Sequence, residues 1–95
     1  MVNKPIVVWN KVAEAYQYIK EDSLQNAEKV RDEIFAATQQ LAYQPESYPL
    51  DKFKRQNPGN YRAFEKHSYR IAYRHTEKQI RILRVRHVKK EPKTY

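Results

Sequence analysis

Apolar residues recur along this chain with two different periods, and the change from one to the other divides it. Pro5–Trp9 (PIVVW) is continuous, β-branched and aromatic, which predicts a first strand; Pro5 stands at its start, where no ladder N–H is needed. Asn10 is suited to cap a helix. From Lys11 to Lys20, Val12, Ala13, Tyr16 and Ile19 recur at intervals of three and four, the helical period. Glu21-Asp22-Ser23 interrupts it, and Asp22 with Gln25 has capping-box spacing. A second helical pattern follows. Ala27, Val30, Ile34, Thr38 and Leu41 form a stripe that Phe35, Ala37 and Ala42 widen, with Glu28, Lys29, Arg31, Asp32 and Glu33 toward the wetter side. The short gap between the two predicts an antiparallel helical hairpin.

Gln44–Asn60 is a loop, broken by Pro45, Pro49 and Pro58, and Gly59 is the chain's single glycine, placed where a turn needs positive φ. The period then changes to two. Tyr61–Lys66, Tyr69–His75 and Gln79–His87 read as strands, joined by turns at His67-Ser68 and Thr76-Glu77-Lys78, and together form an antiparallel meander. The predicted fold is α+β: an N-terminal strand, a two-helix hairpin and a three-stranded antiparallel meander. It forms a single domain over residues 1–95, with the tail 88–95 irregular because Pro92 stops a helix there. The first strand must join the sheet for its apolar residues to be buried, and the helices leave one sheet face uncovered.

Alternation places Tyr69, Ile71 and Tyr73 toward the helices and Arg70, Ala72 and Arg74 on the uncovered face. The last strand offers two readings. Ile80 and Ile82 lead into Arg84 and Arg86 on one face, while Arg81 leads through Leu83 and Val85 to His87 on the other. Neither face is apolar throughout, so the pattern leaves its register open.

Charge sharpens this picture. The net charge is +8, and residues 61–95 hold all of it, with eleven Lys/Arg against three Asp/Glu; residues 1–60 carry eight of each. All three histidines also lie in the later part. Such asymmetry points to a surface for nucleic acid or an acidic protein. There is no cysteine, which excludes disulfides and thiolate metal sites, and the histidines lack metal-site spacing. A chain of this size is not expected to hold a large cofactor, and no apolar run approaches the roughly 20 residues of a membrane span. The expectation is a cytoplasmic protein with no cofactor, no metal and no membrane partner.

The cationic cluster expected at one sheet face and its rim comprises Arg62, Lys66, Arg70, Arg86, His87, Lys89 and Lys90. Arginine forks match phosphate geometry, nearby tyrosines can stack on unpaired bases, and histidine titrates where proton transfer needs it.

The element order, with "DSLQNAEKVRDEI" on the second helix and "SYRIAYR" and "RILRVRH" on the last strands, resembles the RelE/ParE superfamily of type II toxin–antitoxin toxins over essentially the whole chain. The resemblance implies a cognate antitoxin protein that wraps the exposed surface. It also implies one of two activities. RelE-like members cleave mRNA in the ribosome without a metal; ParE-like members bind and poison DNA gyrase without a hydrolytic site. Arg70 stands where the nucleases have a phosphate-binding arginine, Arg62 near a basic position of that site, and His87 where some place a catalytic histidine. Tyr95 is a counterpart of a C-terminal tyrosine, and Lys89 and Lys90 fill a segment that is basic in the nucleases. Phe64 stands where a second lysine would serve, and the close "RVRH" is similar to the ParE-like ending as well. The cations of tail and loop favour the endoribonuclease, with catalytic Arg62, Arg70, His87 and Tyr95 and RNA-binding Lys66, Arg86, Lys89 and Lys90. In that mechanism the ribose 2′-hydroxyl attacks the adjacent phosphate, His87, Tyr95, Lys89 or Lys90 takes its proton, and Arg62, Arg70 and Arg86 offset the growing charge. Gyrase binding is the alternative, and an inactive DNA-binding subunit a third reading.

Overall fold

A computed structural model describes residues 5–10, 24–89 and 94–95. Among them, strand β1 (Ile6–Trp9) is followed by helix α1 (Leu24–Gln40) and by strands β2 (Tyr61–Lys66), β3 (Tyr69–His75) and β4 (Gln79–His87). The four strands form one mixed sheet in the order β1-β4-β3-β2, with β1 parallel to β4 and the other pairs antiparallel. This corrects the predicted architecture of a two-helix hairpin with a three-stranded antiparallel meander. The described residues contain one helix and a four-stranded mixed sheet, still α+β in class; the first predicted helix, Lys11–Lys20, lies outside them. The sheet is mixed because Val7 and Trp9 reach the core by adding β1 to the edge of β4, where Ile6 N donates to Lys78 O and Asn10 N to Ile82 O.

The core lies between α1 and one face of the sheet. Ala27, Val30 and Ile34 on the helix and Leu41 just past its end are buried against Phe64, Tyr69, Ile71, Tyr73, Ile80, Ile82 and Val85, and Thr38 on the same helix stripe is buried too. Thr38 is tolerated in this stripe because its hydroxyl donates to Phe35 O at 2.7 Å. Phe35 does not widen the buried stripe. It is 51% exposed and stacks on Trp9, ring centroids 6.0 Å apart. The helix closes with tightened bonds from Leu41, Ala42 and Tyr43 N to carbonyls three residues back, and Pro45 follows. The β2–β3 turn takes the mirror-image form that suits strand twist, with His67 and Ser68 both at positive φ (52° and 65°).

A bulge resolves the two readings of β4. Tyr73 pairs with Ile82 and Ala72 with Arg84, so Leu83 is the extra residue opposite β3. Without it, alternation would place the residues before or after Leu83 on the wrong face. With it, Ile80, Ile82, Val85 and His87 face the helix side, and Arg81, Arg84 and Arg86 all face the other way. Deleting Leu83 should therefore leave a regular strand with every face preserved, and a cooperative thermal melt by circular dichroism. Deleting its neighbour on β3, Ala72, should abolish that melt, because Tyr73 would then fall on the face opposite Tyr69 and Ile71.

Candidate functional site

The sheet face opposite α1 carries rows of cations set by strand register. Arg70 pairs with Arg86 on β4 and Glu65 on β2; Ala72 lies between Arg84 and Ala63; Arg74 lies between Arg81 and Tyr61. The two paired alanines leave the centre of this face without large side chains. The sequence predicts that this face is uncovered; the structure corrects this at its centre, where Ala63 and Ala72 are only 3% and 1% exposed. The loop after Leu50 folds back along β2, with Asp51 N donating to Tyr61 O at 2.8 Å, and Tyr95 joins it from the far end of the chain. Tyr95 N donates to Phe53 O (2.9 Å) and Arg55 N to Tyr95 O (2.6 Å), a short parallel pairing across the loop.

Asp51 is the hub of this assembly. Its side chain is wholly buried. One oxygen accepts from Phe53 N at 3.0 Å and from Arg70 Nη2 at 3.0 Å; the other accepts the Tyr95 hydroxyl at 2.6 Å. Burial alone would push the carboxyl up, but the bonds from Tyr95, Phe53 N and Arg70, with the Arg70 charge, more than offset it and hold the carboxyl below its usual range. The same contact acts oppositely on Tyr95: burial, then the bond to Asp51, pushes its phenol far above the ordinary value. Rings and cations interleave around the pair. The Arg70 guanidinium lies 4.9 Å from the Phe53 ring centre, Arg84 4.2 Å from Tyr95, Lys54 4.7 Å from Tyr61 and Arg74 5.5 Å from Tyr61. Arg84 is a weaker base than free arginine, first through burial, although the Tyr95 oxygen opposes that, with Arg86 and Arg70 adding repulsion.

The predicted site residues are divided by this geometry. Arg70, Arg86 and Tyr95 belong to the basic face. Arg62 shares the helix-side face with Phe64 and donates to Tyr48 O at 2.6 Å. Lys66 and His87 flank buried Tyr69 on that same side, and His87 meets the Tyr69 ring edge-on at 5.2 Å while its Nδ1 accepts from Lys89 N. His87 follows Arg86 in a regular strand segment, so alternation forbids the two from sharing a face. Lys89 is exposed in the turn beyond β4, and Lys90 lies outside the described residues. The sequence reading omits Asp51; the available signal is a single acidic residue inside the cationic segment DKFKR.

The family profile described as the ParE toxin of the type II toxin–antitoxin system parDE matches residues 8–92. The chain belongs to the ParE toxin family. That places it among the type II toxins of the RelE/ParE superfamily and gives it an antitoxin as partner. No curated protein matches the chain. In this ParE-family chain the basic face combines five arginines with, among the described residues, two carboxylates in contact with Arg70, Asp51 and Glu65, the latter at 3.6 Å. Among the described residues, no helix is long and apolar enough to cross a membrane.

Proposed function

We propose that this toxin acts in the cytoplasm by binding DNA gyrase, as the ParE-like branch does, and not by cutting mRNA. The observation that carries this reading is the division of the expected catalytic set between the two sheet faces. A ribonuclease centre needs a proton acceptor beside the arginines that hold the phosphate. His87 and Arg62 lie on the helix side, away from Arg70 and Arg86. Tyr95 is on the correct face, but its hydroxyl is already donated to Asp51, and burial with that bond makes the phenol harder to ionise. Arg70 is likewise held by Asp51 and Glu65. What remains is a cation-rich surface, suited to docking on an acidic partner, with the antitoxin covering the same face. No cofactor or metal enters this reading.

Growth arrest on expression tests it. His87→Gln and Arg62→Gln should still arrest growth, because neither side chain lies on the docking face. Arg74→Glu combined with Arg86→Glu should relieve the arrest while the protein stays folded. Loss of arrest by His87→Gln in a folded protein would instead favour the endoribonuclease.

A further inference from the structure

The surroundings of Tyr95 form a receptacle for one kind of group. The ring lies on the Arg84 guanidinium at 4.2 Å, has the Lys54 ammonium 5.4 Å from its centre, and meets the Tyr61 ring edge-on at 6.2 Å. These contacts select an electron-rich aromatic ring. Beyond the ring edge waits the buried Asp51 carboxylate, whose other oxygen is already taken by Phe53 N and Arg70; it receives the hydroxyl at 2.6 Å, the length of a charge-assisted bond. A ring without a donor would satisfy the cations and leave that oxygen unpaired. A donor without a ring would leave Arg84 and Tyr61 uncovered. The Tyr95 main chain is held separately by Phe53, Arg55 and Lys54.

We propose that the space around Asp51 is a phenol-binding socket, filled by the chain's own Tyr95, and that its occupancy controls how far Arg84 and Arg70 are exposed to anionic partners. With the phenol seated, Arg84 lies beneath its ring, and the Asp51 carboxylate to which the hydroxyl is bonded holds Arg70. With the socket empty, Arg84 loses its cover and the basic face deepens around the paired alanines Ala63 and Ala72. The inference stands apart from the choice of gyrase as target, since its probes require neither gyrase nor antitoxin.

The test uses the full chain with Tyr95→Ala and the free probes p-cresol and toluene, followed by amide NMR shifts at Asp51, Phe53 and Tyr61. The variant should bind p-cresol saturably, and roughly tenfold to a hundredfold more tightly than toluene, the difference expected for one hydrogen bond to a charged group. Wild-type protein should take up p-cresol poorly, because Tyr95 competes from within the same chain. On immobilised heparin, Tyr95→Ala should elute at higher salt than wild type, and p-cresol should shift it back. Should Tyr95→Ala fail to fold, Tyr95→Phe keeps the ring and lacks only the hydroxyl; p-cresol should displace that ring more readily than it displaces tyrosine. Equal binding of p-cresol and toluene, equal uptake of p-cresol by wild type and variant, or heparin elution indifferent to p-cresol would each overturn the proposal.

Discussion

Replacing Tyr73 by alanine is expected to cost about 4 kcal/mol or more and to leave the chain close to unfolded at 37 °C. Tyr73 is fully buried at the centre of β3, between Arg62 on β2 and Ile82 on β4. Its ring meets Phe64 edge-on at 6.3 Å, and its hydroxyl donates to Pro45 O at 2.7 Å, tying the loop after α1 to the sheet. Truncating a buried aromatic to alanine costs about 3–5 kcal/mol through lost burial and the cavity left behind. A domain of this size has only about 5–15 kcal/mol in total. Tyr73→Phe separates the parts: it keeps the packing and strands the Pro45 carbonyl, for a loss of about 1–2 kcal/mol. Chemical denaturation of the two variants checks this, with the alanine loss expected to be at least twice the phenylalanine loss. Burial also pushes the Tyr73 phenol up to about 12. A raised folded-state value means stability present below pH 10 and lost as the pH climbs toward 12.

Asp51→Asn should produce the second large effect, about 3 kcal/mol of lost stability together with release of Tyr95. The carboxylate accepts three hydrogen bonds, and asparagine offers a single oxygen and an amide donor that faces donors. Bonds to a buried charge are worth about 1.5–3 kcal/mol each, and among the described residues Arg70 would exchange its buried ion pair for the longer one to exposed Glu65. The same group sets the acid limit. Because the folded-state carboxyl lies below its ordinary value of 3.8, its contribution is complete above that pH and is lost as the pH falls through the lower folded value. Wild-type stability should therefore drop on acidification below about pH 4, and the part due to Asp51 should be absent from Asp51→Asn. Equal acid sensitivity in both proteins would remove Asp51 from this role.

The strand boundaries were legible because alternation and turn residues coincide: Tyr61–Lys66, Tyr69–His75 and Gln79–His87 are read directly from the pattern. The helix-side stripe from Ala27 to Leu41 was legible for the same reason. The register of β4 was not, since a bulge is a choice of the backbone. Its trace in the sequence is the odd spacing between Ile82 and Val85, which breaks a period of two. The direction of β1 was also hidden, because an apolar strand pairs equally well either way until the rest of the sheet fixes the free edge. At the site, alternation placed Arg70 on the basic face correctly, but treating Arg62, Lys66, Arg86 and His87 as one cluster ignored that neighbours on a strand diverge. Asp51 was missed because its role depends on contacts 19 and 44 residues away along the chain. No local pattern encodes such separations.

The most direct measurement of the functional claim adds purified toxin to DNA gyrase with supercoiled plasmid and, in parallel, to a translating extract. A gyrase-binding toxin should give inhibited gyrase with broken DNA trapped on the enzyme, intact mRNA, and the same result for His87→Gln. Cleaved mRNA at the ribosome with unaffected gyrase would contradict the claim.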